Sequence, residues 1–140
     1  MPQNLFRNSS KISLNDKLLK IIIILFRIYH KRNCDWNAND IDKILTVLKE
    51  NNTKITFFMV GDWIEKFPEA VKKISDEGHE IASHSNTHPH VNNLTYEQNI
   101  EEIEKSNDKI EQITGKRTNI YRTPYGEYNN TVIKAANDKG

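Results

Sequence analysis

The sequence predicts an α/β protein in which short parallel strands alternate with amphipathic helices. Strand-like runs of apolar, β-branched and aromatic residues occur at residues 54–60, 79–83 and 119–121. The stretches between these runs carry apolar residues at helical spacing, and a strand, a helix and a second strand make the repeating unit of a parallel sheet. We therefore expect helices packed on a parallel sheet.

Capping residues place the helices more closely. Pro68 is expected to open a helix that Gly78 ends as a left-handed cap. Thr95 and Gln98 form a capping box that begins the longest helix, which Gly115 ends. The apolar helix positions are Ile41, Ile44, Leu45, Leu48, Ala70, Val71, Ile74, Ile100, Ile103, Ile110 and Ile113. We interpret the charged residues of the longest helix as its solvated face; they include Glu101, Glu102, Glu104 and Lys105.

Composition indicates a globular protein and argues against nucleic acid as a partner. The 140 residues are 36% hydrophobic and 28% charged, with a formal net charge of +1, and no basic patch stands out. The apolar run at residues 21–26 is interrupted by Arg27, so we expect no transmembrane span and no signal peptide there, but an edge strand or a short amphipathic helix. The one cysteine, Cys34, excludes an internal disulfide; it is either a small buried residue or a metal ligand beside Asp35.

Two histidines provide the strongest functional signal. His84 and His88 lie four residues apart directly after the run at residues 79–83, a spacing that lets both imidazoles face one point. Neutral imidazole suits zinc, cobalt, nickel or iron. Arg122 follows the run at residues 119–121, and Asp35 precedes the first helix. In a parallel sheet these polar groups would converge at the carboxyl ends of the strands, where such folds carry their ligands.

Two motifs and two framework segments resemble those of a known family. They are His84, Ser85, His88 and Pro89; Arg122, Pro124, Tyr125 and Gly126; and residues 55–61 and 77–81. In these residues the sequence resembles the polysaccharide deacetylases with a NodB-type homology domain, also called carbohydrate esterase family 4. The resemblance extends over residues 34–140. It implies a partial, distorted (β/α) barrel with an unclosed sheet.

The resemblance also implies a metal-assisted hydrolysis. The metal ligands would be Asp35, His84 and His88, and the ion would be divalent, with zinc the first choice and cobalt, manganese or nickel as alternatives. Arg122 would orient the catalytic base. The substrate would be a glycan such as peptidoglycan or chitin that loses its N-acetyl, or occasionally O-acetyl, groups.

The turn formed by Pro124, Tyr125 and Gly126 is implied to bind the substrate. A backbone N–H of this turn would hold the oxyanion together with the metal, which gives Tyr125 a catalytic as well as a binding role. Relatives of the family mostly act at the cell envelope or outside the cell.

The sequence departs from the family pattern at the base. Asn33 occupies the position of the catalytic aspartate, and a neutral amide cannot accept the proton of a water molecule. An acidic motif and a later histidine general acid have no counterpart in the 140 residues. We expect residues 1–32 to be an atypical N-terminal segment, shifted in reading frame or disordered in part, and residues 33–140 to be a truncated deacetylase domain.

Two alternatives to an active deacetylase stay open. The first is a catalytically dead remnant that at most binds metal or glycan; the second is an unrelated α/β interaction domain with incidental histidines. An HExxH metalloprotease is excluded because Ser85 stands where the glutamate would be. An open sheet edge would also permit self-association. A monomeric, cooperatively unfolding chain in sedimentation and thermal melts would contradict self-association.

Overall fold

The computed structural model describes residues 38–139, in which helices and strands alternate as expected. The helices are α1 (Ala38–Glu50), α2 (Gly61–Lys66), α3 (Pro68–Asp76), α4 (Tyr96–Thr114) and α5 (Asn130–Lys139), the strands β1 (Thr56–Met59) and β2 (Glu80–Ser83), and 3₁₀ turns form at Val91–Asn93 and Pro124–Gly126. The expectations for residues 21–26, Asn33, Cys34 and Asp35 lie outside the described residues.

The two strands form a parallel pair. Thr56 of β1 stands opposite Glu80 of β2, and Met59 stands opposite Ser83. The expected third strand at residues 119–121 does not form: Tyr121 makes a single parallel bridge with Ser83. The N–H of Ile120 bonds to the hydroxyl of Thr118 at 3.1 Å, so a local turn replaces the ladder there.

The bridge nevertheless extends the sheet beyond β2. The N–H of Ser83 donates to the carbonyl of Ile120, and the N–H of Arg122 donates to the carbonyl of Ser83, both at 3.0 Å. The described part of the chain is thus a parallel α/β arrangement, and a closed barrel is not present among residues 38–139.

The predicted caps are confirmed. The Thr95 hydroxyl accepts from the Gln98 N–H at 3.2 Å and the Gln98 side chain accepts from the Thr95 N–H at 2.9 Å, which is the reciprocal capping box of α4. Gly78 has φ +80° and ends α3 in a Schellman motif, in which the His79 N–H bonds to the Ile74 carbonyl at 3.2 Å.

Helix α2 was not expected. It follows β1 with only Val60 between them, and its six residues are too few for a helical apolar pattern to stand out in the sequence. Trp63 is buried and its ring centroid lies 5.2 Å from that of Phe67, consistent with the expected packing of Trp63 on a helix.

The apolar helix faces and the strands enclose one core. Among its most buried side chains are Leu45, Leu48, Ile64, Val71, Ile74, Ile103, Ile110 and Val132. Ile100 and Ile113, at the two ends of the apolar face of α4, are half-buried. Among residues 38–139 no helix combines the length and the apolar character that a membrane crossing requires.

His79 belongs to this core. Its Nδ1 accepts the N–H of Ile55 at 3.2 Å, and its ring meets Phe57 edge-on with centroids 5.4 Å apart. Burial lowers the pKa of His79, and the charge of Lys54 acts in the same direction. The imidazole is therefore a neutral hydrogen-bond acceptor with a satisfied ring, as expected from the sequence.

We predict that the free energy of unfolding falls as the pH drops below about 6.5, the ordinary pKa of a histidine in the unfolded chain. Because burial lowers the pKa values of His79, His84 and His88, the unfolded chain binds more protons in this range. The free energy of unfolding should be greatest above this pH. It should decrease as the pH falls, until the folded-state pKa values are reached. Urea unfolding at pH 7.5 and pH 5.5 with a chelator present measures the difference. His79→Gln should reduce the pH dependence, and an unchanged dependence would show that His79 does not contribute.

Candidate metal centre and substrate turn

The first part of the site is the loop after β2, residues 84–90, which we call the histidine loop. The His84 N–H donates to the carbonyl of Met59 at 2.9 Å and so continues the pairing of β1 with β2. The N–H groups of Gly61 and Asp62 then donate to the carbonyls of Ser85 and Asn86, both at 2.9 Å. The loop is thus docked on the first turn of α2.

A close approach to Gly61 makes this docking possible. A Cβ at Gly61 would overlap Oδ1 of Asn86 and would lie 3.0 Å from its Cα. Asn86 is buried, so it has little room to move away. Only glycine fits at this position beside the histidine loop.

Left-handed backbone conformations turn the loop back on itself. Ser85 has φ +67° and His88 has φ +60°, and the Ser85 hydroxyl accepts the N–H of His88 at 2.9 Å. This turn brings the ring centroids of His84 and His88 to 4.9 Å from each other in an edge-on arrangement. The predicted pair of histidines is therefore brought together.

The His84 ring is oriented by the second motif. Its Nδ1 lies 2.8 Å from the carbonyl oxygen of Arg122, which can only accept a hydrogen bond. Nδ1 is consequently the protonated nitrogen, and Nε2 carries the lone pair, the usual arrangement of a metal-binding histidine. His84 is only 7% exposed.

Burial favours the neutral form of both rings. It lowers the pKa of His84, against the smaller opposite effect of the Arg122 carbonyl, and it lowers the pKa of His88, with a further contribution from the charge of His90. A neutral imidazole is the form that binds a metal ion.

The second part of the site is the segment at residues 122–127, whose residues 123–127 we call the tyrosine turn. Arg122 holds its guanidinium 5.6 Å from the centroid of the Phe58 ring. Pro124 is buried, whereas Tyr125 is 49% exposed, and its ring centroid lies 4.7 Å from that of His88. The structure therefore places His84, His88 and the tyrosine turn side by side.

The remaining predicted ligand is not described. Asp35 and Asn33 lie outside residues 38–139, and within those residues no group of three histidine, cysteine or carboxylate side chains could hold a metal ion. The described part of the chain brings together the two histidines predicted as ligands, and both their binding of a metal and the choice of Asp35 as the third ligand stay predictions.

Glu102 is a site residue that sequence reasoning missed, because its position on α4 was interpreted as part of the solvated face. Its carboxylate accepts the N–H groups of Asn86 and Thr87 at 2.9 and 2.8 Å and the Thr87 hydroxyl at 3.0 Å. It thus fixes the middle of the histidine loop. No local sequence signal distinguishes it from Glu101, which pairs with Lys105 at 2.5 Å.

His90 and Glu127 are also closer to the site than their sequence context suggested. His90 Nδ1 lies 2.6 Å from Oε1 of Glu127, and the His90 ring stacks on that of Tyr125. The two residues are 37 positions apart, and only the fold brings them together.

Sequence and structure comparisons place this arrangement in a known class. The family model for polysaccharide deacetylase matches residues 34–140. The chain therefore belongs to the polysaccharide deacetylase family, carbohydrate esterase family 4, whose members are hydrolases acting on amide bonds. The alternative of an unrelated interaction domain is wrong.

Among curated proteins, the chain is similar to the peptidoglycan-N-acetylmuramic acid deacetylase PdaA of Bacillus subtilis, with 39% identity over 93 residues, 66% of this chain and 35% of that protein. It is 36% identical over 97 residues to a peptidoglycan-N-acetylglucosamine deacetylase of Bacillus cereus, covering 69% of this chain and 35% of that protein. The chain spans about a third of the length of these relatives.

Among solved structures, the chain resembles a family 4 pseudoenzyme of Bacillus anthracis, with 31% identity and a TM-score of 0.71 over 76% of this chain and 38% of that one. A mutant of that pseudoenzyme, described as having restored enzymatic activity, matches with 32% identity and a TM-score of 0.71 over 74% of this chain and 38% of that one. The peptidoglycan deacetylase PdaC of Bacillus subtilis matches with 31% identity and a TM-score of 0.66 over 71% of this chain and 49% of that one.

We predict that Glu102→Ala lowers the free energy of unfolding by about 1.5–3 kcal/mol, since two N–H groups and a hydroxyl lose a charged acceptor. Glu101→Ala, one position along the same helix, is the matched control and should cost less than about 0.5 kcal/mol because its ion pair is exposed. Chemical denaturation of the three proteins measures both values. Equal losses for the two variants would contradict the assigned role of Glu102.

Proposed function

We propose that the chain provides the metal-binding and substrate-binding motifs of a metal-dependent polysaccharide deacetylase, which hydrolyses the N-acetyl amide bond of an amino-sugar polymer such as peptidoglycan or chitin. The observation that carries the proposal is the His84 ring, oriented by the Arg122 carbonyl with His88 beside it. The described activities of PdaA and of the Bacillus cereus relative support peptidoglycan as the substrate class.

The residues fit a divalent metal ion. Two neutral imidazoles from one loop, with the carboxylate of Asp35 as a third ligand, make an open site of the catalytic type, for which zinc is the first choice and cobalt, manganese or nickel the alternatives. When bound there, the metal would lower the pKa of a water molecule and polarise the acetyl carbonyl.

The tyrosine turn offers the binding surface next to these ligands. Tyr125 and Gly126 have φ +57° and +67°, and the Glu127 N–H closes the turn on the Pro124 carbonyl at 3.1 Å. The space over Gly126 is open, so a sugar and its acetyl group can approach the backbone. A backbone N–H of this turn would donate to the oxygen that becomes negative in the tetrahedral intermediate.

The residue at position 33 affects the rate of the proposed hydrolysis, because it stands where the general base would be. Arg122 would orient a carboxylate base at that position, but the amide of Asn33 stays neutral and takes no proton. This residue favours a second candidate function, a catalytically dead family member that binds metal or glycan. The similarity to a solved family 4 pseudoenzyme of Bacillus anthracis is compatible with this candidate but does not favour it over an active enzyme.

We predict that the chain binds zinc and that His84→Ala, His88→Ala and Asp35→Ala each weaken zinc binding at least about tenfold, because each removes one ligand. Competition with a chromophoric chelator measures the affinity. His79→Gln is the matched control, since His79 precedes β2 whereas His84 follows it. Retention of full affinity in His84→Ala and His88→Ala would rule out the proposed centre.

We predict that Asn33→Asp increases the rate of acetate release from N-acetylglucosamine oligomers by about 10² to 10⁴, because it supplies the missing general base. Asn37→Asp adds the same charge four positions away and should leave the rate unchanged. Zinc-loaded proteins with equal affinity for the metal should be compared. If Asn33→Asp is no faster than the starting protein, the dead-enzyme alternative is favoured and Asn33 does not by itself explain the loss.

A further inference from the structure

His90 contacts the tyrosine turn in two ways at once. Its Nδ1 lies 2.6 Å from Oε1 of Glu127, and its ring stacks on Tyr125 with centroids 4.1 Å apart and planes inclined by 10°. Because His90 belongs to the histidine loop, its side chain connects that loop with the tyrosine turn through both contacts.

The residue on which His90 stacks has an unusual backbone. Tyr125 has φ +57°, a left-handed conformation that costs free energy for a residue with a Cβ and persists only where neighbours impose it. Its ring contacts that of His90 in a stacked arrangement and that of His88 in an edge-on arrangement, with centroids 4.7 Å apart in the second case. Half of the side chain is exposed, so burial alone does not fix it.

Further contacts support the same connection. Glu127 also accepts the N–H of Asn92 at 3.4 Å, and the side chain of Asn129 donates to the Asn92 carbonyl at 3.5 Å. The hydrogen bond from His90 holds the pKa of Glu127 below its ordinary value, so the carboxylate is ionised and a strong acceptor.

We propose that His90 and Glu127 are positioning residues, which hold Tyr125 in its left-handed conformation beside His88 and thereby set the geometry of the tyrosine turn. Neither residue needs to touch the substrate. The consequence for hydrolysis rests on the proposed function, because a displaced turn would misplace the backbone N–H that faces the developing oxyanion. The contacts themselves exist without metal or substrate and can be tested without either.

Three variants separate the two contacts. His90→Ala removes both, His90→Phe keeps an aromatic ring for stacking but loses the hydrogen bond, and Glu127→Gln keeps an acceptor without the charge. Lys73→Ala is the matched control. It breaks an ion pair of the same length, 2.6 Å, between Lys73 of α3 and Asp42 of α1, away from the tyrosine turn. The readout is the chemical shift of the Tyr125 ring protons in tyrosine-labelled protein, assigned with Tyr125→Phe.

We expect an upfield shift of the Tyr125 ring protons from the stacked imidazole, lost in His90→Ala and retained in His90→Phe, Glu127→Gln and Lys73→Ala. Exchange of the amide of residue 127, which closes the turn, should be about tenfold faster in His90→Ala and about threefold faster in Glu127→Gln, whose neutral side chain is a weaker acceptor for His90. In whichever background releases acetate, kcat should fall about tenfold while zinc affinity stays within about twofold, and His90→Phe should recover part of the loss.

The ring shift reports the stacking itself and disappears with the imidazole, so the exchange rate of the amide of residue 127 is the deciding readout. An unchanged exchange rate in both His90→Ala and Glu127→Gln would overturn the proposal, whatever the activity. So would faster exchange in His90→Ala with kcat unaffected. If neither the starting chain nor Asn33→Asp binds zinc or releases acetate, the proposed function fails, while the exchange rates still decide whether His90 and Glu127 hold the turn.

Discussion

The contact between the His84 ring and the Arg122 carbonyl is the interaction on which the site depends. It exists because Ser83 pairs with the backbone on either side of Tyr121, which brings Arg122 next to the residue that follows β2. A carbonyl can only accept, so the backbone of one motif determines the tautomer of a histidine in the other. This single bridge therefore aligns the loops that contain His84 and Arg122, two residues that are 38 positions apart in the sequence.

Most of the site geometry is held by polar contacts rather than by apolar packing. Ser85, His88 and Tyr125 all have positive φ, a conformation that non-glycine residues adopt only where their surroundings compensate for it. Neighbouring contacts accompany these conformations: the carbonyl of Ser85 accepts the N–H of Gly61, the Ser85 hydroxyl accepts the N–H of His88, and the ring of Tyr125 stacks on that of His90. The apolar core supports the loops from below. The polar contacts stabilise loop conformations that packing on the core alone would not favour.

The sequence predicted the parts of the fold that depend on local signals. The capping box at Thr95, the left-handed Gly78 and the helical spacing of Leu45 and Leu48 act within a few residues, and all are confirmed. The prediction of a third strand was wrong because the hydroxyl of Thr118 competes for a donor of the ladder. Helix α2 was missed because its six residues are too few to show helical spacing.

The candidate site was predictable where its residues carry a spacing or motif signal, as His84 and His88 do and as Arg122 and Tyr125 do after the run at residues 119–121. His84 and His88 are joined by one loop, and their spacing reveals them. Glu102 and the His90–Glu127 pair depend on distant segments meeting in space, so no spacing rule can find them.

In the proposed function, holding a metal and activating a water molecule are separate tasks. The orientation of His84 and the turn at His88 are supported by contacts among the described residues, namely those with the Arg122 carbonyl, the Ser85 hydroxyl and Glu102. General-base catalysis contributes about 10² to 10⁴ in rate, or about 3–5 kcal/mol of the barrier, and a substitution at the base can remove it without touching those contacts. A family member with Asn33 can therefore keep the ligand geometry of its relatives while losing most of their speed. The histidine loop supports the proposed metal binding, whereas the residue at position 33 bears on the rate of the proposed hydrolysis.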